Sequence, residues 1–314
     1  MSIDRVATFA QSQFYLAQVL KANSALNTTQ NQVSSGKVSD TYAGIGDKTA
    51  ALEGARSAAA RNQAYQSATN LALTQTDLQD TQLTELSNLA QQLKNAVSTA
   101  AANADGTDLI STAGSIFQQA KSILNSTDAN GNYIYGGQNS DKPPFTATSL
   151  ADLVSNPIST YFQNGNIAKS VTVGDGQTQQ IGVLASDIGT QLMNALASLY
   201  TADTPPGSLN GPLTDAQSTN LTDTVMPQAQ QAYVVLNTAS AKNGDAYKNL
   251  QDVQTNQTSL VNLYQGFVSN IEDVDMATAI TNLNQNQTAL QAALEVTAKL
   301  NNLSLLNYLP TTMG

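Results

Sequence analysis

Cysteine, histidine and tryptophan are all absent from this chain, and Asp, Glu, Lys and Arg together make up 11% of it, where about 25% is usual. Without Cys and His there are no disulfides, no thiolate or imidazole zinc sites, and no Ser-His or Cys-His nucleophile pair. The net charge of −10 opposes phosphate backbones and no Lys/Arg cluster relieves it, so nucleic acid is not an expected partner. No apolar run approaches the roughly 18 to 20 residues of a membrane span, and "MSIDRVATFAQSQFYLAQVL" has neither a basic leader nor a continuous apolar core. The expectation is therefore no membrane span and no ordinary signal peptide.

What replaces the missing charge is Gln, Asn, Ser and Thr. Such a surface is polar yet weakly repelling, which suits stacking against copies of itself. From Val6 to Gly36 the only charged residue is Lys21, and Phe9, Leu16, Val19, Leu26 and Val33 fall on the two seam positions of a seven-residue repeat, with Asn23 and Gln30 sharing that seam. Polar seam residues weaken a coiled coil but fix its register. Gly36 in "SSGK" is a suitable helix stop.

A proline-free pattern from Thr49 to Asn103 predicts a helix of about 50 residues, roughly 75 Å long, with Leu71, Leu78, Leu86, Leu89, Leu93 and Val97 as its buried stripe. A further helix is expected over about 107–126. Between Gly131 and Gly182 the period changes to alternation around Ser170–Val173, with turn signals at Asn164-Gly165 and Gly174-Asp175-Gly176, so this segment reads as β-rich. Helical patterning resumes over 184–200 and over 215–268, the latter marked by Leu221, Val225, Leu236, Leu250, Val253, Leu260 and Leu263. Pro227 there requires a start or a kink. A last helix opens at "SNIEDVDMA", with Asp273 and Asp275 in its first turns and Met276, Ile280, Leu283, Gln287, Leu290 and Leu294 as its seam. The fold class expected is mainly α: an elongated antiparallel long-helix or coiled-coil rod with a small β-rich insert at its distal side.

The chemistry-bearing candidates are weak. "DANGN" at Asp128–Asn132 begins like a calcium loop but lacks the downstream acid, and "SSGK" lacks the earlier glycine of a phosphate loop. Asp273 and Asp275, two apart on a helix, face different ways and make a poor acid/base pair. No catalytic residue, metal or cofactor is expected, and the chain reads as a non-enzyme. The seam residues singled out are Phe9, Leu16, Val19, Leu26, Leu290, Leu294, Leu300, Leu303, Leu306 and Leu309, and on the residues alone such a leucine seam reads as an internal core helix more readily than as an interface between copies.

The residues also carry a resemblance. "IEDVDMATAITNLNQNQTALQAALEVTAKLNNLSLLNYL" resembles the carboxyl end of bacterial flagellins and of their relative at the hook-filament junction, hook-associated protein 3; "QNQVSSGKVSD" resembles an amino-terminal element of both; and "TDANGNYIYGGQNSDKPPF" is similar to the junction protein. "VSDTYAGIGDKTA" and the proline of "VMPQAQ" depart from the pattern.

The resemblance implies a structural subunit of the extracellular bacterial flagellum, self-associating into a helical polymer with those seam residues as its assembly surface, and exported without a cleaved signal peptide through the flagellar export apparatus with a chaperone. It implies hook-associated protein 1 and filament flagellin as neighbours if this is a junction protein. It further implies an inner domain of 1–40 paired with 269–314, a middle domain of 41–130 and 184–268, and an outer insert of 131–183. A filament-forming flagellin is the alternative, and a secreted adhesin or binding module on a helical stalk is a third reading.

Overall fold

A computed structural model describes residues 2–306, with side chains described for 10–299. The chain divides into two compact units, one of residues 1–61 with 260–314 and one of residues 62–259.

The first unit is built on the pairing of α1 (Ser2–Ser35) with α9 (Met276–Leu306). The short helix α2 (Tyr42–Ile45) follows α1, and the start of α3 (Thr49–Asn103) and the end of α8 (Met226–Glu272) complete it. α1 stops where the sequence predicts: Gly36 sits at φ +72°, a left-handed conformation that glycine adopts at no steric cost, and its N–H bonds the carbonyl of Gln32. Asp275 caps α9. Its carboxylate accepts from the N–H groups of Ala277 and Thr278, and these bonds with the Thr278 hydroxyl hold it below the usual carboxylate range.

The second unit takes the rest of α3, then α4 (Leu109–Leu124), α5 (Asp152–Ser155), a hairpin of β1 (Ser170–Gly174) and β2 (Gln177–Gln180), α6 (Ala185–Ala202), α7 (Asp215–Asn220) and the first part of α8. The amphipathic stripes of α4 and α6 supply Leu109, Ile116, Phe117 and Leu124, and Ile188, Leu192, Leu196 and Leu199, to one core shared with Leu86 and Leu93 of α3 and Leu221 and Leu236 near the N-terminal end of α8. The strands of segment 131–183 are confined to that one hairpin, which lies on Ala72 and Leu250 through Val173 and Ile181. Apart from α5 and a 3-10 turn at Ile158–Tyr161, the rest is irregular chain held by side chains and isolated backbone bonds. "YIYGG" is an example: Ile134 and Tyr135 are buried, and Gly137, at φ +61°, passes so close to Ile167 that a Cβ would lie 2.6 Å from its carbonyl oxygen.

The helix leading into Pro227 solves its problem by widening. Proline lacks an N–H and its ring collides with the carbonyl four residues back. Leu221–Val225 form a π-turn, so α7, the π-turn and α8 run on without a break.

In α3 the inward positions alternate by three and four through Leu52, Ala55, Ala59, the half-buried Asn62 and Gln66, Thr69, Ala72, Thr76, Gln79, Leu83, Leu86, Ala90, Leu93 and Val97. Leu71 and Leu78, expected in this stripe, are instead exposed, as are Leu260 and Leu263 of α8. Polar side chains take the inner places. Asn243 answers Thr76 with a 2.8 Å bond to its carbonyl, whereas the carboxamide of Gln79, fully buried, has no protein partner among the described residues. A buried amide without a partner costs about 1–3 kcal/mol. Gln79→Leu, similar in volume, is expected to raise the stability of the second unit by about that amount, read as an increased denaturation midpoint at unchanged slope; a lower midpoint would contradict it.

Candidate assembly surfaces of the terminal helices

In α1, Tyr15, Val19, Ala22, Leu26, Thr29 and Val33 are half-buried or buried, a seven-residue seam. In α9 the matching set is Ala279, Leu283, Asn286, Leu290, Ala293 and Thr297. The helices are antiparallel: the carboxamide of Asn286 reaches the carbonyl of Ala25 at 3.3 Å and the hydroxyl of Thr29 at 3.4 Å, and Lys37 makes an antiparallel bridge to Asp273.

This corrects the predicted seams by one column in each helix. Val19, Leu26, Val33, Leu283 and Leu290 do face the partner helix side. Leu16, Asn23 and Gln30, and Met276, Ile280, Gln287 and Leu294, do not. The places expected for them hold smaller residues, Ala22, Thr29, Ala279, Asn286 and Ala293. Small side chains let helix axes approach closely, and the Asn286–Thr29 bond requires both to face inward.

The larger side chains are consequently turned outward. Phe14, Leu16 and Leu20 of α1 are 59%, 50% and 61% exposed, and Ile280 and Leu294 of α9 are 46% and 51% exposed. Leu260, Leu263 and Phe267 extend an outward apolar stripe along α8. Exposed apolar groups in a row mark interaction surfaces. The side chains of Phe9, Leu300, Leu303 and Leu306, and the whole of Leu309, lie outside the described residues.

The root of the helix pair is an ionic clamp that sequence patterning does not locate. Glu272 is the last residue of α8, at the end where the helix dipole disfavours a negative charge. Instead Lys37 Nζ lies 2.5 Å from one carboxylate oxygen and Arg56 Nη2 2.6 Å from the other. Arg56 also reaches Glu53, which accepts from the Tyr42 hydroxyl. The main chain closes around them, with Val38 N–H donating to the Glu272 carbonyl and Val274 N–H to the Gly36 carbonyl.

The Lys37 ammonium, and after it the Arg56 guanidinium, holds the Glu272 carboxyl below its ordinary value of 4.5. A folded carboxyl that binds its proton less tightly than the unfolded one stabilises the fold above the ordinary value, and that contribution is lost as pH falls through the lower folded value. The thermal transition of the terminal unit is therefore expected to fall on acidification below pH 4.5. Glu272→Gln is expected to start lower at neutral pH and to show a weaker acid dependence, with Asp275 supplying the part that persists. Parallel profiles for the two proteins would refute the assignment.

Among the described residues no group of three or more Asp or Glu side chains gathers to hold a metal, and no helix is long and apolar enough to cross a membrane.

Comparison with known proteins bears on these surfaces. Residues 226–309, which include all of α8 and the described part of α9, match the model of the bacterial flagellin C-terminal helical region. No curated protein matches the chain. Among solved structures, a Vibrio parahaemolyticus protein described as flagellar hook-associated is similar at 16% identity, with 74% of this chain and 99% of that one covered and a TM-score of 0.59. FlgL of Bacillus cereus is similar at 13% identity, covering 69% of this chain and 98% of that one, with a TM-score of 0.52. Identities this low carry the fold.

Proposed function

We propose that the protein is a non-catalytic structural subunit of the extracellular bacterial flagellum, a reading supported by the match of residues 226–309 to the flagellin C-terminal helical region. It takes its place at the hook-filament junction. The supporting observation is the split of side-chain sizes across α1 and α9. One inner column of each helix is small or polar, Ala22 and Thr29 in α1 and Ala279, Asn286 and Ala293 in α9, while Phe14, Leu16, Leu20, Ile280 and Leu294 face away, where neighbouring copies can cover them. Leu16 and Leu294 belong to that outward set. Val19, Leu26 and Leu290 contribute by holding the pair together. Phe9, Leu300, Leu303, Leu306 and Leu309, outside the described residues, are assigned to the assembly surface on the seven-residue repeat of the sequence alone. In this reading 1–40 and 269–314 form the inner layer, 41–130 and 184–268 the middle one, and 131–183 the outer insert, and export proceeds with a chaperone.

The junction role, with hook-associated protein 1 and flagellin as neighbours, draws on the likeness of fold to hook-associated proteins over about three-quarters of the chain. The filament subunit is the second reading, favoured by the match of the C-terminal region to flagellin itself. Electron microscopy of the purified chain separates them. Monomers or short rings are expected, and long helical filaments grown from this protein alone would overturn the junction assignment.

A further inference from the structure

The sequence contains four Asn-Gly pairs, at Asn130, Asn164, Asn210 and Asn243, and the fold treats them very differently. Glycine after asparagine presents the least hindered backbone nitrogen to the asparagine side chain, so such pairs are open to ring closure unless structure prevents it. Asn243 lies inside α8, buried, with its carboxamide bonded to the Thr76 carbonyl. Asn164 is pinned from both sides: its carboxamide donates to the Ser186 hydroxyl and accepts from the Ser186 N–H, while Gly165 N–H is engaged by the Gly136 carbonyl. Asn130 is exposed, but the attacking nitrogen of Gly131 donates to the Asp128 carbonyl at 3.0 Å, and Asn130 N–H is held by the Asp128 carboxylate.

Asn210 has none of these restraints. It is exposed, and neither its carboxamide nor the Gly211 N–H has a protein partner among the described residues. We propose that Asn210–Gly211 is a site of spontaneous covalent modification in the folded protein, converting to aspartate and isoaspartate through a succinimide. The Gly211 nitrogen, its proton taken by hydroxide, attacks Cγ of Asn210 and forms the N–Cγ bond. The Cγ–Nδ2 bond breaks and the side-chain nitrogen leaves as ammonia. Water then opens the ring at either carbonyl, so the balance needs only water and no redox partner.

Two features nearby make the product consequential. Asn210 opens on a cavity of about 280 Å³ that Asp108 and Asp203 also line, so a new carboxylate joins two existing ones. Immediately after it the chain is stitched to the turn before α4 by bonds from Gly106 N–H to the Gly211 carbonyl and from Leu213 N–H to the Ala104 carbonyl. Isoaspartate inserts one extra main-chain carbon ahead of those bonds and loosens them.

The test is peptide mapping by mass spectrometry, with enzymatic methylation to detect isoaspartate, on the full chain held in warm, mildly alkaline buffer. Asn210 is expected to convert about tenfold faster than Asn130, the factor set by having to break one hydrogen bond at the attacking nitrogen, and faster still than Asn164 and Asn243. In denaturant the four rates converge. A native ranking led by Asn130, or identical to that in denaturant, would overturn the site. In the aged protein the amides of Gly106 and Leu213 are expected to exchange hydrogen faster; unchanged exchange would overturn the loosening. Neither outcome depends on the role proposed for the chain.

Discussion

Ending the chain at Ala289 is expected to abolish self-association while leaving residues 62–259 folded. The truncation removes Leu290, Ala293 and Thr297 from the seam facing α1, and Leu294 from the outward face. A buried leucine contributes about 1.5–3 kcal/mol, and α1, left without most of its partner, is too polar to persist as an isolated helix in water. The association surface therefore disappears twice over, once through the missing outward residues and again through the unpaired α1. Among the described residues, none of α9 belongs to the core clusters of the second unit. Sedimentation would follow the loss of association, and hydrogen exchange the survival of the second unit. Polymers formed by the truncated chain would sink the proposal that these helices drive assembly.

Phe145→Ala is expected to be the most damaging single substitution in the second unit. Phe145 is 1% exposed, with Phe117 and Phe162 at ring-centre distances of 6.2 and 4.9 Å, and its N–H donates to Asn125, whose own carboxamide returns a bond to the Phe145 carbonyl. Truncating a buried phenylalanine costs about 3–5 kcal/mol, which in a unit of this size lowers the thermal midpoint by roughly 6–20 °C. The loss falls on the irregular segment as well as on α4, because this ring is where the two meet. Val154→Ala, half-exposed on the same segment, is the control and should move the midpoint little. Calorimetry that finds the two variants alike would place the organising contact elsewhere.

The long helices were legible because a 3.6-residue period persists over many turns. The sides they present were legible only in part. Leu16 and Ala22 sit on adjoining columns of α1, and hydropathy favours the leucine for the inner one. In the protein the alanine column is inside, because close packing and the Asn286–Thr29 bond select small and polar residues. The same substitution of roles hid Thr69, Thr76 and Gln79 behind Leu71 and Leu78 in α3. Where leucines are meant for another surface, a monomer's core cannot be found by looking for leucines. Segment 131–183 was illegible for a different reason: its buried residues, such as Tyr135 and Phe145, are held by bonds to Gln82 and Asn125 rather than by any repeat. The clamp at Glu272 was illegible because its cationic partners, Lys37 and Arg56, lie more than two hundred residues away in the chain.

The widened turn at Leu221–Val225 has one more consequence. Each α-helical residue turns the helix by about 100°, and a π-turn absorbs one residue without advancing that count. Removing a single residue there would let the helix close to ordinary pitch with the following side chains kept in angle, at the cost of bringing the Pro227 ring back against the carbonyl four residues earlier, whereas removing one anywhere between Met226 and Glu272 would swing everything beyond it away from its seam. Along this helix the angular index is thus carried in five residues.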